Sequence, residues 1–550
     1  MRRSMRVMAL VALASAWCAN PALADQGGDA ALASAEAAFL DYLDAVGARG
    51  VVDSGFAPTF EGRDAAGWAA LARERRATLD GRLAVAAGAS TSAADGAAIV
   101  AMRRTLTDLG EEAGAEPGAE PVDCADATRT SLDYGALRAA LVDCYVQHGN
   151  AMSYRGRTID RGTALQLLHV EQGEDDRRAL FEAFGPLWRA LYGDGGPGSP
   201  YRRLIAMASA DAARNGSQVD AAARALGITT DELERWLVAI LEAWSRSAGP
   251  AMVEPWDYRY ANSVANRQLE PVVPAASLLP INERYYRDLG ADLGALRVMF
   301  DLAPRRDKSP LAYTDFVKRG RETTAGWTRP VARVVGTYPD GGLFSINELV
   351  HENGHAVHVS AIRTRPAFMD WPDTLFTEAF ADVPSWSTYE PAWQRHYLGR
   401  AAGDAESQRA LFGDVMLDVA WSLFELRLLR DPALDPNRLW TDITSRYLHV
   451  VPHPEIPWWA VRVQLVDAPG YMVNYGLGAV LTAEMRRRTS AEIGAFDTGN
   501  PRWYPWLSQQ LLRYGSQRDA RTLMDGFLSR PVSPQALIDQ LARCGAAPLR

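Results

Sequence analysis

His351-Glu352-Asn353-Gly354-His355 is the stretch from which this 550-residue chain can be read outward. Residues four apart share one face of an α-helix, so both imidazoles can reach a single tetrahedral cation while Glu352 stands to one side. The stretch predicts a helix with one face turned to a metal ion. The opposite side is apolar, with Ile346, Leu349, Val350 and Val357, joined by Ser360, falling away from His351, His355 and His358. Ser345 with Glu348 reads as a capping box, and Phe344 can staple on Leu349, which places the expected helix start at Ser345.

A hydrolytic zinc site needs a third protein ligand and an open coordination position. Glu378-Ala379-Phe380-Ala381-Asp382 offers a carboxylate 23 residues after His355, and Pro366 and Pro372 let the chain turn before a second helix near Asp373 or Thr374. Asp382 lies one turn beyond Glu378. From there it can accept a hydrogen bond from the outer nitrogen of a ligating histidine and fix its tautomer. The set read from sequence is one zinc ion per chain on His351, His355 and Glu378, supported by Asp382 and His358. Glu352 is the general base.

This pair of motifs, H-E-x-x-H and E-A-x-x-D, resembles the gluzincin metallopeptidases, and its spacing is similar to that of the thimet oligopeptidase/oligopeptidase F and angiotensin-converting enzyme families. The run from His351 to His358 is similar to the oligopeptidase pattern H-E-x-G-H-x-x-H, whereas Glu378-Ala379 with Asp382-Val383 and Ser385 resembles the converting-enzyme segment. Tyr514-Gly515-Ser516, Phe527-Leu528-Ser529-Arg530 and Ser533-Pro534 resemble the last oligopeptidase helices. Metzincins are excluded, because His358 and Ala361 stand where their glycine and third histidine belong.

The resemblance implies a mostly α, two-lobed ellipsoid around a deep channel, with a small β-hairpin or sheet beside the zinc helix. It implies hydrolysis of short peptides by an oligopeptidase or a peptidyl-dipeptidase. It also implies tyrosine donors to the developing oxyanion, for which Tyr471 and Tyr475, one turn apart, are the candidates. The family pattern places a histidine shortly before its tyrosines, but the nearest here, His453, precedes Tyr471 by 18 residues. A strand edge next to the zinc helix pairs with substrate in these families. Residues 330–337, β-branched and followed by the turn 338–342, read as that edge or as a plain structural hairpin.

Residues 1–24 read as a signal peptide: Arg2, Arg3 and Arg6 precede an apolar run over 7–17, and Ala22-Leu23-Ala24 closes the segment. The run is too short to span a bilayer, so the expectation is a periplasmic or secreted protein without stable membrane insertion. Residues 25–130 then form an N-terminal helical region read as a lid, and 131–550 the helical catalytic region, with its zinc core at about 330–480. Helical periodicity recurs over 29–47, 64–86, 97–112, 175–192 and 230–247, with a flexible connection over 111–126 and a Gly/Pro loop over 193–200. Cys124 and Cys144 are the expected disulfide, leaving Cys544, although one sequence leaves the pairing open.

Net charge of −9 and the lack of any basic run argue against a nucleic-acid partner. Short peptides are the expected partners. Arg462, close in sequence to Trp458 and Trp459, reads either as a receptor for a peptide's C-terminal carboxylate or as a solvated charge beside core tryptophans. A different class of function, a non-catalytic zinc- or peptide-binding protein on the same fold, has no use for Glu352. A carboxylate that is not a ligand is costly to hold in a partly buried site.

Overall fold

Apolar residues at helical spacing dominate the sequence, and the computed structural model is accordingly mostly α. It describes residues 26–89, 92–112, 122–248, 251–305, 308 and 312–545; the expected signal peptide lies outside the described residues. The first three helices, Gln26–Asp53, Ala65–Ala89 and Ala93–Glu112, bury Leu32, Phe39, Leu43, Leu79, Leu83 and Met102 against one another. A second, larger apolar cluster takes in Leu40 and residues from Cys124 to Cys544. At its centre the long helix Asp404–Arg430 packs on the helix Val473–Ile493, which in turn packs on Thr374–Ser385.

Strands are few and short. β1 (Met152–Tyr154) and β2 (Arg157–Ile159) form one hairpin, and β5 (Arg321–Thr323) and β6 (Gly326–Thr328) another. Between them in the chain lie β3 (Met299–Asp301) and β4 (Tyr313–Lys318), which join β7 (Val331–Val335) in a three-stranded sheet of order β3-β7-β4. β3 runs parallel to β7 and β4 antiparallel, with Thr314 opposite Val334.

This corrects the reading of residues 330–337. The segment is a strand, but it is central and buried at every position, so both its edges are engaged and none is left for substrate. The outer strands are β3 and β4, and β4 is the one that lines the cleft with Glu352 and His355. Over 175–192 the expected single helix divides into Glu174–Glu182 and Gly185–Tyr192, broken just before Gly185-Pro186. The connection expected over 111–126 is helical at both ends, in Ala93–Glu112 and the short helix Cys124–Thr128, while 113–121 lie outside the described residues.

The N-terminal helices are bolted to the sheet region by charge and close packing. Arg321 on β5 pairs with Asp41 and Asp44 of the first helix, and Arg365 meets Glu36 at 2.6 Å. A Cβ on Gly47 would lie 2.4 Å from the main-chain oxygen of Phe316, so only glycine lets the first helix come this near β4.

Cys124 and Cys144 form a disulfide, and Cys544 is buried and free. The bond closes a separation of 20 residues, and removing it frees the unfolded chain by about 3 kcal/mol. The double replacement by serine is therefore expected to lower the urea midpoint of the region it ties, and an unchanged midpoint would contradict this.

Candidate metal centre

The histidine helix spans Gly342–Ala361, one turn longer at its start than the capping box suggests. Its N-cap is Gly341 in the left-handed region (φ 78°), and a Cβ there would stand 2.2 Å from Val273 O; the Gly342 amide donates to that same oxygen at 2.8 Å. A distant residue thus caps the entry, and Ser345 sits inside the helix. The second helix, Thr374–Ser385, starts where expected, with Asp373 Oδ1 accepting the Phe376 amide at 2.8 Å.

Gly354 decides how the two helices meet. A Cβ on it would lie 2.7 Å from Ala381 Cα and 2.9 Å from Ala381 O, so the helices touch backbone to backbone there. That crossing falls between the two motif histidines on one helix and within one turn of Glu378 on the other. His351 Nε2 and His355 Nε2 are 3.2 Å apart, and Glu378 Oε2 lies 3.4 Å from the first and 3.8 Å from the second. Donors at about 2.0–2.1 Å around a tetrahedral ion are separated by about 3.3 Å, so this spacing fits a metal ion, and the three residues could hold one.

The electrostatics agree with that fit. Burial pushes His355 down to about 4, so it is a neutral imidazole with a lone pair to offer. Burial opposes a charge on His351, yet Asp382 and Glu378 outweigh it and hold this ring well above its ordinary value. Burial would also raise Glu378, but its hydrogen bond to His351 and the two imidazoles draw it down to about 2. Two acids beside these imidazoles favour a positive charge there, which a cation held by the three residues would supply. Asp382 Oδ1 lies 2.8 Å from His351 Nδ1 and receives Ser385 Oγ at 3.2 Å, fixing the proton on Nδ1 and leaving Nε2 for the cluster. Asp382→Asn is expected to weaken metal binding by about 10- to 100-fold in a chelator competition, and an unchanged affinity would remove this role.

Glu352 is 6% exposed and does not enter the ligand cluster. The Thr314 hydroxyl on β4 lies 2.8 Å from both Glu352 O and Glu352 Oε2, and its single proton serves one of them at a time. Burial raises Glu352 to about 7 despite the nearby His351 charge and the Thr314 bond, which suits a group that both takes and returns a proton. Thr314 was not among the residues picked out in sequence. The aromatic and β-branched run Tyr313-Thr314-Asp315-Phe316-Val317 was the available signal.

His358 is fully buried, enclosed by the rings of Trp371, Phe376 and Phe380, and pushed down to about 3 by burial. Neither ring nitrogen has a hydrogen-bond partner, so among the described residues it makes no bond to a ligand. Tyr471 and Tyr475 pack edge to face, 5.8 Å between centroids. Burial raises both phenols, and the Glu378 carboxylate adds to the rise in each. Gln464 Nε2 donates to Tyr475 Oη at 3.0 Å.

Arg462 is not a solvated charge: it pairs with Asp418 and lies over the rings of Trp421 and Tyr475, while Trp458 and Trp459 are core. Burial lowers it to about 10, with Arg259 and Arg161 adding to that. His453 is held between Glu254 at 2.9 Å and Glu455 at 2.7 Å. Glu352, His355 and Glu378 line a cleft of about 1030 Å³, which β4, Trp371, Leu43 and Val46 of the first helix and Val100 of the third also line.

No protein-family model matches the sequence, and no curated protein matches it. Among solved structures the chain is similar to a carboxypeptidase of Pyrococcus furiosus, over 94% of this chain and 99% of that one, with a TM-score of 0.54 and 12% identity. It is also similar to a protein described as an oligoendopeptidase F, over 75% and 74% of the two chains, with a TM-score of 0.52 and 16% identity. The likeness is one of fold: this chain shares the mostly α architecture of these two solved structures.

Proposed function

We propose that this protein is an exported zinc-dependent peptidase acting on short peptides. One observation carries the reading: two imidazole nitrogens and a carboxylate oxygen stand at tetrahedral spacing beside a non-ligating glutamate raised to about 7, with Glu352, His355 and Glu378 opening on one cleft. Zinc on His351, His355 and Glu378 supplies a Lewis acid that polarises the scissile carbonyl and lowers the pKa of water. The outer edge of β4 pairs with the extended peptide. Glu352, oriented by Thr314, takes the proton of the attacking water and passes it to the departing amine. The phenols of Tyr471 and Tyr475 donate to the developing oxyanion.

Arg462 lies over the Tyr475 ring and pairs with Asp418, Arg161 donates to Val461 O at 3.0 Å next to it in the chain, and Arg259 pairs with Asp414. This arginine wall favours peptides whose C-terminal carboxylate lies near the scissile bond, and so favours release of short C-terminal pieces. Product masses from a defined ten-residue peptide and its C-terminal amide test this. Loss of a C-terminal dipeptide, abolished by amidation, supports the peptidyl-dipeptidase form, and internal cuts in both peptides support the oligopeptidase form. Absence of cleavage by zinc-loaded protein across a broad peptide set would replace the reading with a non-catalytic binder.

A further inference from the structure

Glu425 is a fully buried carboxyl in the middle of the helix Asp404–Arg430, and among the described residues no cation pairs with it. Burial pushes it up to about 8, which favours its neutral form, and the titratable groups that face it are Tyr134 and Tyr201. Leucine would fill such a position without burying a polar group. What Glu425 touches accounts for its presence. Its Oε2 accepts the amide of Met472, the residue after Tyr471, at 2.8 Å.

The same helix face holds that segment at further points. Ser422 Oγ donates to Met472 O at 2.6 Å, Leu429 comes within 3.4 Å of a Cβ built on Gly470 (φ 96°), and Asp418 pairs with Arg462. Positions 418, 422, 425 and 429 are spaced by four, three and four, so they form one stripe. We propose that Glu425, assisted by Ser422, is a positioning residue for Tyr471: the two hold the amide and the carbonyl of Met472, the residue after the tyrosine, and so aim the phenol at the metal cluster. Neither the motifs nor the metal ligands touch it. The inference rests on the role given to Tyr471 above.

The test is a mutant cycle on the full zinc-loaded chain. Glu425→Leu is expected to lower kcat by about tenfold or more with KM near normal, because the loss falls on a contact made in the transition state. Bound zinc and circular dichroism should not change. Glu425→Gln keeps an acceptor oxygen and should restore most of the turnover. In a Tyr471→Phe background, Glu425→Leu should cost about twofold or less, since the residue it aims is already silenced.

An equal loss in both backgrounds, a raised KM with kcat intact, or failure of the glutamine variant to rescue would each overturn the proposal. If Glu425→Leu does not fold, Ser422→Ala carries the same cycle with the same expectations. Full turnover of Tyr471→Phe by itself would remove the reading underneath and the positioning role with it, an outcome separate from the others. A tetrahedral phosphonate peptide gives a readout besides turnover: Glu425→Leu should weaken its binding by about tenfold, in step with kcat.

Discussion

Glu352→Gln is expected to keep the metal ion and lose turnover, with kcat lower by about a thousandfold and KM little changed. The amide has the shape of the acid but cannot take a proton from water. Glu352 is not among the three clustered donors, so metal content should match the parent protein. Its Thr314 contact can persist, because the carboxamide oxygen still accepts the hydroxyl proton. A burial-raised acid replaced by a neutral group also relieves desolvation, so the variant is expected to be at least as stable as the parent. Near-normal kcat in this variant would take Glu352 out of the reaction.

The second large effect concerns Glu378. Glu378→Ala leaves two imidazoles and no carboxylate, and it strips His351 of one of the two acids that favour a positive charge there. Metal affinity and turnover should fall together, turnover to background. A ligand bound only by the native state stabilises it by about 4 kcal/mol when present at a thousand times its Kd. Added zinc should therefore raise the unfolding temperature of the parent protein and leave that of Glu378→Ala where it was. Equal zinc-induced shifts in the two proteins would place the metal elsewhere.

The legible parts of this molecule are those whose physics is local in sequence. Two histidines four apart, an Asp373 cap and an acid pair one turn apart each state their geometry within a few residues, and His351, His355, Glu378 and Asp382 meet as read. What escaped depends on partners far along the chain. The helix start is set by Gly341 pressed on Val273 rather than by Ser345, and the helix crossing by Gly354 against Ala381. β-branched character marks residues 330–337 as a strand, but only pairing with β3 and β4 makes Val331–Val335 central. The same pairing makes an outer strand of β4, which carries Thr314 and lay in a segment without a motif. Arg462 read as free or receptive because Asp418, which holds it, lies 44 residues earlier.

The most direct test of the account strips the purified chain of metal, titrates zinc back, and follows cleavage of a short peptide by mass spectrometry in the same samples. Products should be absent at the start, rise in proportion to zinc, and level off at about one ion per chain. Full turnover by the metal-free chain, or no product from the fully loaded one, would contradict it.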